Sequence, residues 1–342
     1  MSPIAAALDQ LCAEVAELTG RHGQPVDAGA LGVLDRKGVL PLDTPGLVSS
    51  NRACRLLRTA DGWIAVNLAR EEDQELVAAW LRREPVDDPW DAIAAEAPAH
   101  AACDLVADAA LLGLPVSQVG EVRAESFAPP MLRKRPPSAA ARTGALRVVD
   151  LSALWAGPMC GGLLAEMGAR VEKVESERRP DPTRTSTPEF FRRLNGRKFE
   201  LRFDFTTPAG RARLAEAIAA ADILITSARP RAFAGLGLEP ESVFGANPAL
   251  VWVAITGYGW TGAASERVAF GDDAAAAGGL VGWTAEAEPR FLGDALADPV
   301  TGLAAAAGAL AALEAGGGVI VDVAMARCAA AAAVVCELRA AA

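Results

Sequence analysis

Apolar residues in the second part of the chain fall into short runs that alternate with segments of helical spacing. Strands are expected at residues 146–151, 170–174, 199–204, 222–226 and 250–255. Helices are expected between them at 159–168 and 208–220, the second with Pro208 in its first turn. Strands that alternate with helices predict a parallel sheet with right-handed crossovers. We therefore expect an α/β fold with a Rossmann-like large domain.

The first part of the chain has a mixed pattern. A helix is expected at 5–19, and a hairpin is expected from 55–58 and 63–67 around the turn Asp61-Gly62. Further helices are expected at 72–81, 90–95 and 101–112, followed by an extended segment at 115–122. This mixture predicts a smaller α+β domain.

A stretch rich in proline and basic residues separates the two patterns. Its residues are Pro129, Pro130, Pro136, Pro137, Arg133, Lys134, Arg135 and Arg142. Prolines combined with like charges are typical of an extended linker. The predicted organisation is therefore a small α+β segment at 1–127, a linker at 128–145 and the Rossmann-like domain at 146–342.

Composition narrows the range of functions. The 342 residues carry a formal net charge of −10, which argues against a nucleic-acid binder. The start of the chain has no signal-peptide pattern, and the longest apolar stretches are too short to span a membrane, so we expect a cytoplasmic protein without membrane contact. Six irregularly spaced cysteines without a C-x-x-C pair fit a reducing compartment. Because the chain has only two histidines, no metal site is expected.

The ends of the first two predicted strands are candidate ligand sites. Ala156, Gly157 and Pro158 lead into a helix whose first N–H groups are suited to a phosphate or a carbonyl oxygen. Lys173 and Glu175 lie at the end of the next strand. Their spacing along the sequence from the turn is about that of a carboxylate that binds a ribose. The spacing fits a nucleotide-bearing ligand and a purely structural βαβ unit equally well.

A G-x-G-x-x-G pattern occurs at residues 257–262 after a predicted strand. Because no apolar helix begins at Gly262, a flexible loop is favoured over a dinucleotide fingerprint.

Several motifs in order resemble CoA-transferase family III, which includes formyl-CoA transferase, carnitine CoA-transferase and α-methylacyl-CoA racemase. They are VDLSALWAGPMC at 149–160, LLAEMGARVEKVE at 163–175, DFTTPAG at 204–210, ITGYG at 255–259, LADPVTG at 296–302 and VDVAM at 321–325. The segment SNRACRLLRTADGWIAV at 50–66 resembles the smaller domain of the same family. In the usual family order that segment follows the large domain, whereas here it precedes it.

The resemblance implies an enzyme that moves CoA between an acyl-CoA thioester and a carboxylic acid. It places the nucleophile at Asp298, with Asp294 as the nearest competitor, and without the resemblance Asp298 would be interpreted as a helix cap. The expected intermediates are an aspartyl anhydride and an aspartyl-CoA thioester. CoA is expected as a substrate, with no permanently bound cofactor, and the enzyme is expected to be a homodimer.

The resemblance also implies contacts with CoA. They are assigned to Ala156, Gly157, Pro158, Lys173, Glu175, Arg184 and Arg229.

Two alternatives stay open. Family racemases exchange an α-proton and carry a histidine where Asp272 stands, so Asp272 or the neighbouring Asp273 is a candidate second base. The other alternative is an acyl-CoA-binding homologue without catalytic activity.

Overall fold

A computed structural model describes residues 4–84, 87–138 and 144–338 of the chain. Its strands are β1 (Cys54–Arg58), β2 (Trp63–Asn67), β3 (Val116–Gln118), β4 (Met131–Arg133), β5 (Arg147–Asp150), β6 (Arg170–Ser176), β7 (Phe199–Phe203), β8 (Ile223–Thr226), β9 (Val251–Thr256), β10 (Gly282–Trp283), β11 (Pro289–Arg290) and β12 (Val319–Ala324).

The helices of the same residues surround these strands. They are α1 (Ala5–His22), α2 (Glu71–Glu75), α3 (Val77–Trp80), α4 (Pro89–Glu96), α5 (Ala102–Leu112), α6 (Ala156–Met167), α7 (Thr183–Ser186), α8 (Pro188–Asn195), α9 (Pro208–Ala219), α10 (Arg231–Ala234), α11 (Pro240–Ala246), α12 (Gly271–Ala277), α13 (Ala297–Glu314) and α14 (Met325–Val335). None of them is long and apolar enough to cross a bilayer.

A seven-stranded sheet forms the centre of the molecule, in the order β4-β12-β9-β8-β5-β6-β7. All neighbours pair in parallel except β4, which pairs antiparallel with β12. Together with a small antiparallel sheet of β1, β2 and β3, this confirms the predicted α/β fold with a Rossmann-like parallel sheet.

The central strands are apolar because both faces of the sheet are covered. Along β9, Val251 and Val253 face a core formed with α1, α6 and α13, whereas Trp252 and Ala254 face a second core beneath α9 and α11. Every residue of β9 is buried. The continuous apolar run that predicted a strand is thus a consequence of burial on two sides.

The packing changes the content of the predicted domains in two places. Helix α1, although it belongs to the predicted small segment, packs in the same core as α6 and α13 through Ala7, Leu11 and Val15. Residues Met131–Arg133, which lie in the predicted linker, pair with β12 as an edge strand. Residues 139–143 of that linker, which include Arg142, lie outside the described residues. The limits 1–127, 128–145 and 146–342 therefore stay a proposal.

The small antiparallel sheet packs on α12. Ser117 of β3 donates a hydrogen bond to the backbone carbonyl of Asp273 at 2.9 Å, and Cys54, Leu56 and Ala65 share a core with Ala276. The hairpin of β1 and β2 follows the prediction, whereas the helix predicted at 72–81 is divided into α2 and α3. This docking brings the loops before β1 and after β2 to the carboxyl edge of the large sheet.

Candidate active site

A cavity of about 240 Å³ opens beyond the carboxyl ends of the central strands. Its walls come from the residues that follow β5, β8, β9 and β12, namely Ala153–Gly157, Ser227, Gly257 and Met325. Open α/β sheets bind ligands at this edge. The small segment supplies further walls, so the cavity lies between the two parts of the chain.

Asp298 lies in the first turn of α13 and lines this cavity. Its Oδ1 accepts a hydrogen bond from the backbone N–H of Ala156 at 3.3 Å. Burial raises the pKa of Asp298 to about 7, against the lowering effect of Arg36 and the Ala156 N–H. The carboxyl group is thus poorly solvated and ionises near neutral pH.

The start of α12 approaches Asp298 closely because residue 271 is glycine. A Cβ atom at Gly271 would overlap Asp298 Oδ2 and would lie 2.6 Å from both the Cβ and the carbonyl oxygen of Ala295. Ala295 itself adopts a left-handed conformation, with φ at 47°. Strained backbone of this kind often surrounds functional groups.

Two residues of the small segment organise the acids of the cavity. Arg36 donates to Asp294 through Nε at 2.7 Å and through Nη2 at 2.6 Å. Asn51 Nδ2 donates to Asp272 at 2.8 Å and to Asp294 at 3.0 Å. Asp294, considered as the competing nucleophile, is therefore engaged in a bidentate ion pair.

Asp272 lines the cavity and Asp273 does not. Burial and the charge of Asp294 raise the pKa of Asp272 to about 6, although Asn51 and the Ala295 N–H, at 2.7 Å, stabilise the carboxylate. Asp273 is fully buried and accepts from Asn67 Nδ2 at 3.0 Å and from the backbone N–H of Phe270 at 2.9 Å. Burial raises its pKa well above the ordinary range, so Asp273 has a structural position at the start of α12.

The predicted turn before α6 reaches the cavity in part. Ala156 and Gly157 line it, whereas Pro158 is buried and does not. A Cβ at Gly157 would overlap the side chain of Ser152, so this glycine permits the tight packing of the turn. The Pro158 carbonyl accepts a hydrogen bond from Lys198 Nζ at 2.7 Å.

Lys173 and Glu175, expected at a nucleotide, occupy a different environment. Lys173 is fully buried, donates to the Ser152 carbonyl at 2.8 Å and lies 3.3 Å from Asp181. Glu175 pairs with Arg184 at 2.8 Å. Both side chains bind groups of the chain itself beneath α7 and α8, and their contact with CoA stays a prediction.

Arg184 is also engaged within the chain. Besides Glu175 it pairs with Glu200 at 2.9 Å, and its guanidinium group lies 4.2 Å from the ring centroid of Phe191. Arg184 does not line the Asp298 cavity.

Below the first turn of α6 lies a second cluster of buried charges. Lys198 Nζ donates to Asp150 Oδ2 at 2.8 Å and to Asn195 Oδ1 at 2.8 Å, and neither charged side chain is exposed. Burial opposes ionisation of Asp150, but the charges of Lys198 and Lys173 outweigh it and lower the pKa of Asp150.

Arg229 lines a second cavity of about 530 Å³ together with four other arginines. The arginines of this cavity are Arg70, Arg179, Arg229, Arg231 and Arg267. Burial and the charges of Arg231 and Arg70 lower the pKa of Arg229. Among the described residues no carboxylate lies within ion-pair distance of Arg229, whereas Arg231 pairs with Glu266.

The walls of the two cavities contain neighbouring residues. Ala69 lines the first and Arg70 the second, and the Arg70 guanidinium lies 5.4 Å from the ring of Phe270, which lines the first. Likewise, Ser227 lines the first cavity and Arg229 lines the second. An extended ligand with an anionic end fits this arrangement.

Residues 257–262 form a loop without a helix after it, as predicted. Thr256 Oγ1 accepts from the Gly259 N–H at 2.9 Å, and Asp322 Oδ1 accepts from the Trp260 N–H at 2.8 Å. The loop is tied to β12 and is no dinucleotide fingerprint.

Comparison with known proteins gives a consistent result. The family model described as CoA-transferase family III matches residues 145–338. The chain is 33% identical over 195 residues to succinyl-CoA–D-citramalate CoA-transferase of Chloroflexus aurantiacus, with 52% of this chain and 48% of that protein covered. It is 30% identical over 190 residues to succinyl-CoA:glutarate CoA-transferase of Homo sapiens, with 52% and 43% covered.

Solved structures are also similar to this chain. A CAIB/BAIF family protein from Brucella suis is 34% identical, with a TM-score of 0.51 over 54% of this chain and 53% of that one. A hypothetical protein from Mycobacterium tuberculosis is 27% identical, with a TM-score of 0.52 over 59% and 58%. The chain spans about half the length of the curated relatives it matches. Because the family model covers more than half of the chain, this protein belongs to CoA-transferase family III, a family of enzymes.

Proposed function

We propose that the protein transfers CoA between an acyl-CoA thioester and a carboxylic acid, with Asp298 as the nucleophile. The observation that carries the proposal is the position of the Asp298 carboxylate in the cavity at the carboxyl edge of the sheet. A carboxylate with few hydrogen-bond donors around it is a stronger nucleophile than a solvated one.

The reaction balances in four steps. A carboxylate oxygen of Asp298 attacks the thioester carbonyl carbon, the carbon–sulfur bond breaks, and CoA leaves as a thiolate from a mixed anhydride. The thiolate attacks the aspartyl carbonyl, which releases the donor acid and forms an aspartyl-CoA thioester. The acceptor carboxylate then attacks the aspartyl carbonyl carbon and displaces the thiolate, which forms a second mixed anhydride. In the last step the thiolate attacks the acceptor's carbonyl carbon in this anhydride, which forms the new thioester and releases the Asp298 carboxylate.

Backbone N–H groups in the wall of the cavity are suited to stabilise the first step. The Ala156 N–H that contacts Asp298 and the neighbouring Gly157 N–H begin α6 beside the place where negative charge develops on oxygen. Such backbone donors stabilise an oxyanion without moving during the reaction.

The second cavity, which is lined by five arginines, is the proposed binding place of the CoA phosphates. Arg229 lies there without an ion-pair partner among the described residues, and Arg179 lies in the same cavity, whereas Arg70 of that cavity is paired with Asp73. Ala156 and Gly157 then contact the pantetheine arm where it approaches Asp298. Lys173, Glu175 and Arg184 are left out of this assignment because their charges are already paired within the chain.

The experiment is covalent trapping at residue 298. Incubation with an acyl-CoA followed by borohydride reduces an aspartyl-CoA thioester to an alcohol, which peptide mass spectrometry locates. We expect modification of Asp298 in the native protein and its complete loss, with loss of CoA exchange, in Asp298→Ala. Asp91→Asn, a change at an exposed acid of α4, is the matched control. CoA exchange undiminished in Asp298→Ala would disprove the mechanism.

A second candidate function is α-proton exchange on a 2-methylacyl-CoA. The position of Asp272 favours it, because Asp272 lines the same cavity as Asp298 and both carboxyl groups have raised pKa values. Deuterium uptake at the α-carbon in heavy water, lost in Asp272→Asn, would establish this activity. Binding of acyl-CoA without trapping, exchange or deuterium uptake would indicate the homologue without catalytic activity.

A further inference from the structure

We infer that the acyl group processed at Asp298 is apolar and carries no second carboxylate. This inference rests on the proposed function and names its substrate class. It follows from two properties of the cavity: the chemistry of its walls and the charges on them.

Several walls of the cavity are aromatic or aliphatic. Trp155 and Phe190 meet edge to face with their ring centroids 5.0 Å apart, and Ile255 and Met325 complete this side. Leu154 is 38% exposed and lies at the cavity on left-handed backbone, with φ at 72°. An exposed leucine held in a strained conformation at a cavity is suited to contact with an apolar ligand.

The charges on the walls disfavour a second carboxylate. Asp298 and Asp272 line the cavity, and Arg36 is the one cation on its described lining. Two of the three guanidinium nitrogens of Arg36 already donate to Asp294, and the group lies 5.0 Å from the ring of Trp155. A distal carboxylate would enter a region in which the acids already outnumber the cation, and it would be desolvated there.

This assignment separates the protein from relatives whose names specify dicarboxylates. The names of the Chloroflexus aurantiacus and Homo sapiens relatives include succinyl-CoA with D-citramalate or glutarate. Asp298 lies within the residues matched by the family model, whereas Arg36 and Asn51 precede them.

The test compares butyryl-CoA with succinyl-CoA, which differ only in the terminal carboxylate on a four-carbon chain. In the native protein we expect trapping of Asp298 and CoA exchange with kcat/KM higher for butyryl-CoA by about a hundredfold. Calorimetric binding to Asp298→Ala, in which no chemistry occurs, is expected to favour butyryl-CoA in the same direction.

The two measurements separate the two claims. Tighter binding of butyryl-CoA without trapping in the native protein would overturn the proposed function and support the apolar substrate class. Binding and trapping of succinyl-CoA equal to or better than those of butyryl-CoA would overturn the substrate class and leave Asp298 as nucleophile.

A variant at the cavity mouth sharpens the result. Leu154→Arg places a cation where Leu154 is partly exposed, and it should tighten succinyl-CoA binding relative to butyryl-CoA at least about tenfold. Leu154→Met keeps the position apolar and serves as the matched control, and thermal unfolding verifies that both variants are folded. An unchanged preference in folded Leu154→Arg would contradict the inference.

Discussion

Two clusters of buried acids lie at the same edge of the large sheet, and their pKa values move in opposite directions. Asp150 is surrounded by Lys198 and Lys173, and its pKa is lowered despite full burial. Asp298 shares one arginine with two other acids, and its pKa is raised to about 7. The difference shows that burial alone does not decide protonation, since the balance of neighbouring charges decides it.

The contrast also separates the acids that stabilise the fold from the acids that are placed to react. The Asp150–Lys198 pair has hydrogen-bond partners within the chain on both sides and no access to the cavity. The Asp298 cluster faces the cavity and carries an excess of acid over base. We therefore expect changes in the first cluster to affect folding and changes in the second to affect reactivity.

The largest effect is expected from removal of the cation in the compensated cluster. Lys198→Met leaves the Asp150 carboxylate buried without its partner at 2.8 Å, which should lower the free energy of unfolding by about 3–5 kcal/mol. Urea denaturation at pH 7 measures the loss. The double variant Lys198→Met with Asp150→Asn should recover part of it, and equal stability of the single and double variants would contradict the pairing argument.

A pair of glycine substitutions tests both clusters with the same added methyl group. A Cβ at Gly161 would lie 2.7 Å from Asp150 Oδ2, and one at Gly271 would overlap Asp298 Oδ2. Gly161→Ala should lower the free energy of unfolding by about 1–3 kcal/mol. Gly271→Ala should reduce borohydride trapping of Asp298 about tenfold or more, because the carboxylate must move.

The control for this pair is Gly235→Ala, since a Cβ at Gly235 has nothing within 4 Å and the backbone is helical. That variant should match the native protein in both measurements. Trapping at the native level in Gly271→Ala would show that the approach of α12 to Asp298 is not needed for reactivity.

A smaller effect is expected from Asp298→Asn on thermal stability. The folded protein holds the Asp298 proton up to about pH 7, whereas an unfolded chain loses it near the ordinary value of 3.8. The unfolded state therefore binds fewer protons between these values, and the native protein loses stability as the pH rises through this window. Asp298→Asn should raise the Tm by a few degrees at pH 8 and leave it unchanged below pH 4. A lower Tm at pH 8 would contradict the raised pKa.

The smallest expected effect is a shift of the acid limb of activity. CoA exchange should fall as the pH drops through about 7, because protonated Asp298 cannot attack the thioester. Asp272 raises the pKa of Asp298 by like-charge repulsion, so Asp272→Asn should move this limb to lower pH by less than about one unit. A pH profile of kcat/KM measures the shift, and a move to higher pH would contradict the repulsion.

The sequence predicted the central sheet well because its signals are local. The runs that became β5, β6, β8 and β9 are apolar or alternating, and each is bounded by helical segments or turn residues. The position of Asp298 at the start of α13 followed from the family motif rather than from hydrophobic periodicity.

The remaining parts of the site depend on contacts between distant segments. Arg36 is one of 33 basic residues, and nothing in its neighbourhood distinguishes it before the small segment docks on the sheet. Lys173 has the spacing of an exposed ligand contact, but α7 and α8 cover it and supply the environment in which it is buried. Burial of a charged side chain requires partners that a single strand does not reveal.

The edge strand β4 has a consequence for how the cavity is assembled. Because Met131–Arg133 pairs with β12, the chain is already anchored on the large sheet where it leaves the small segment. Arg36 and Asn51 thereby reach the acids at a high effective concentration, as an intramolecular ligand does. A backbone cut in this connection would turn a first-order docking step into a bimolecular one, and site assembly would then depend on dilution.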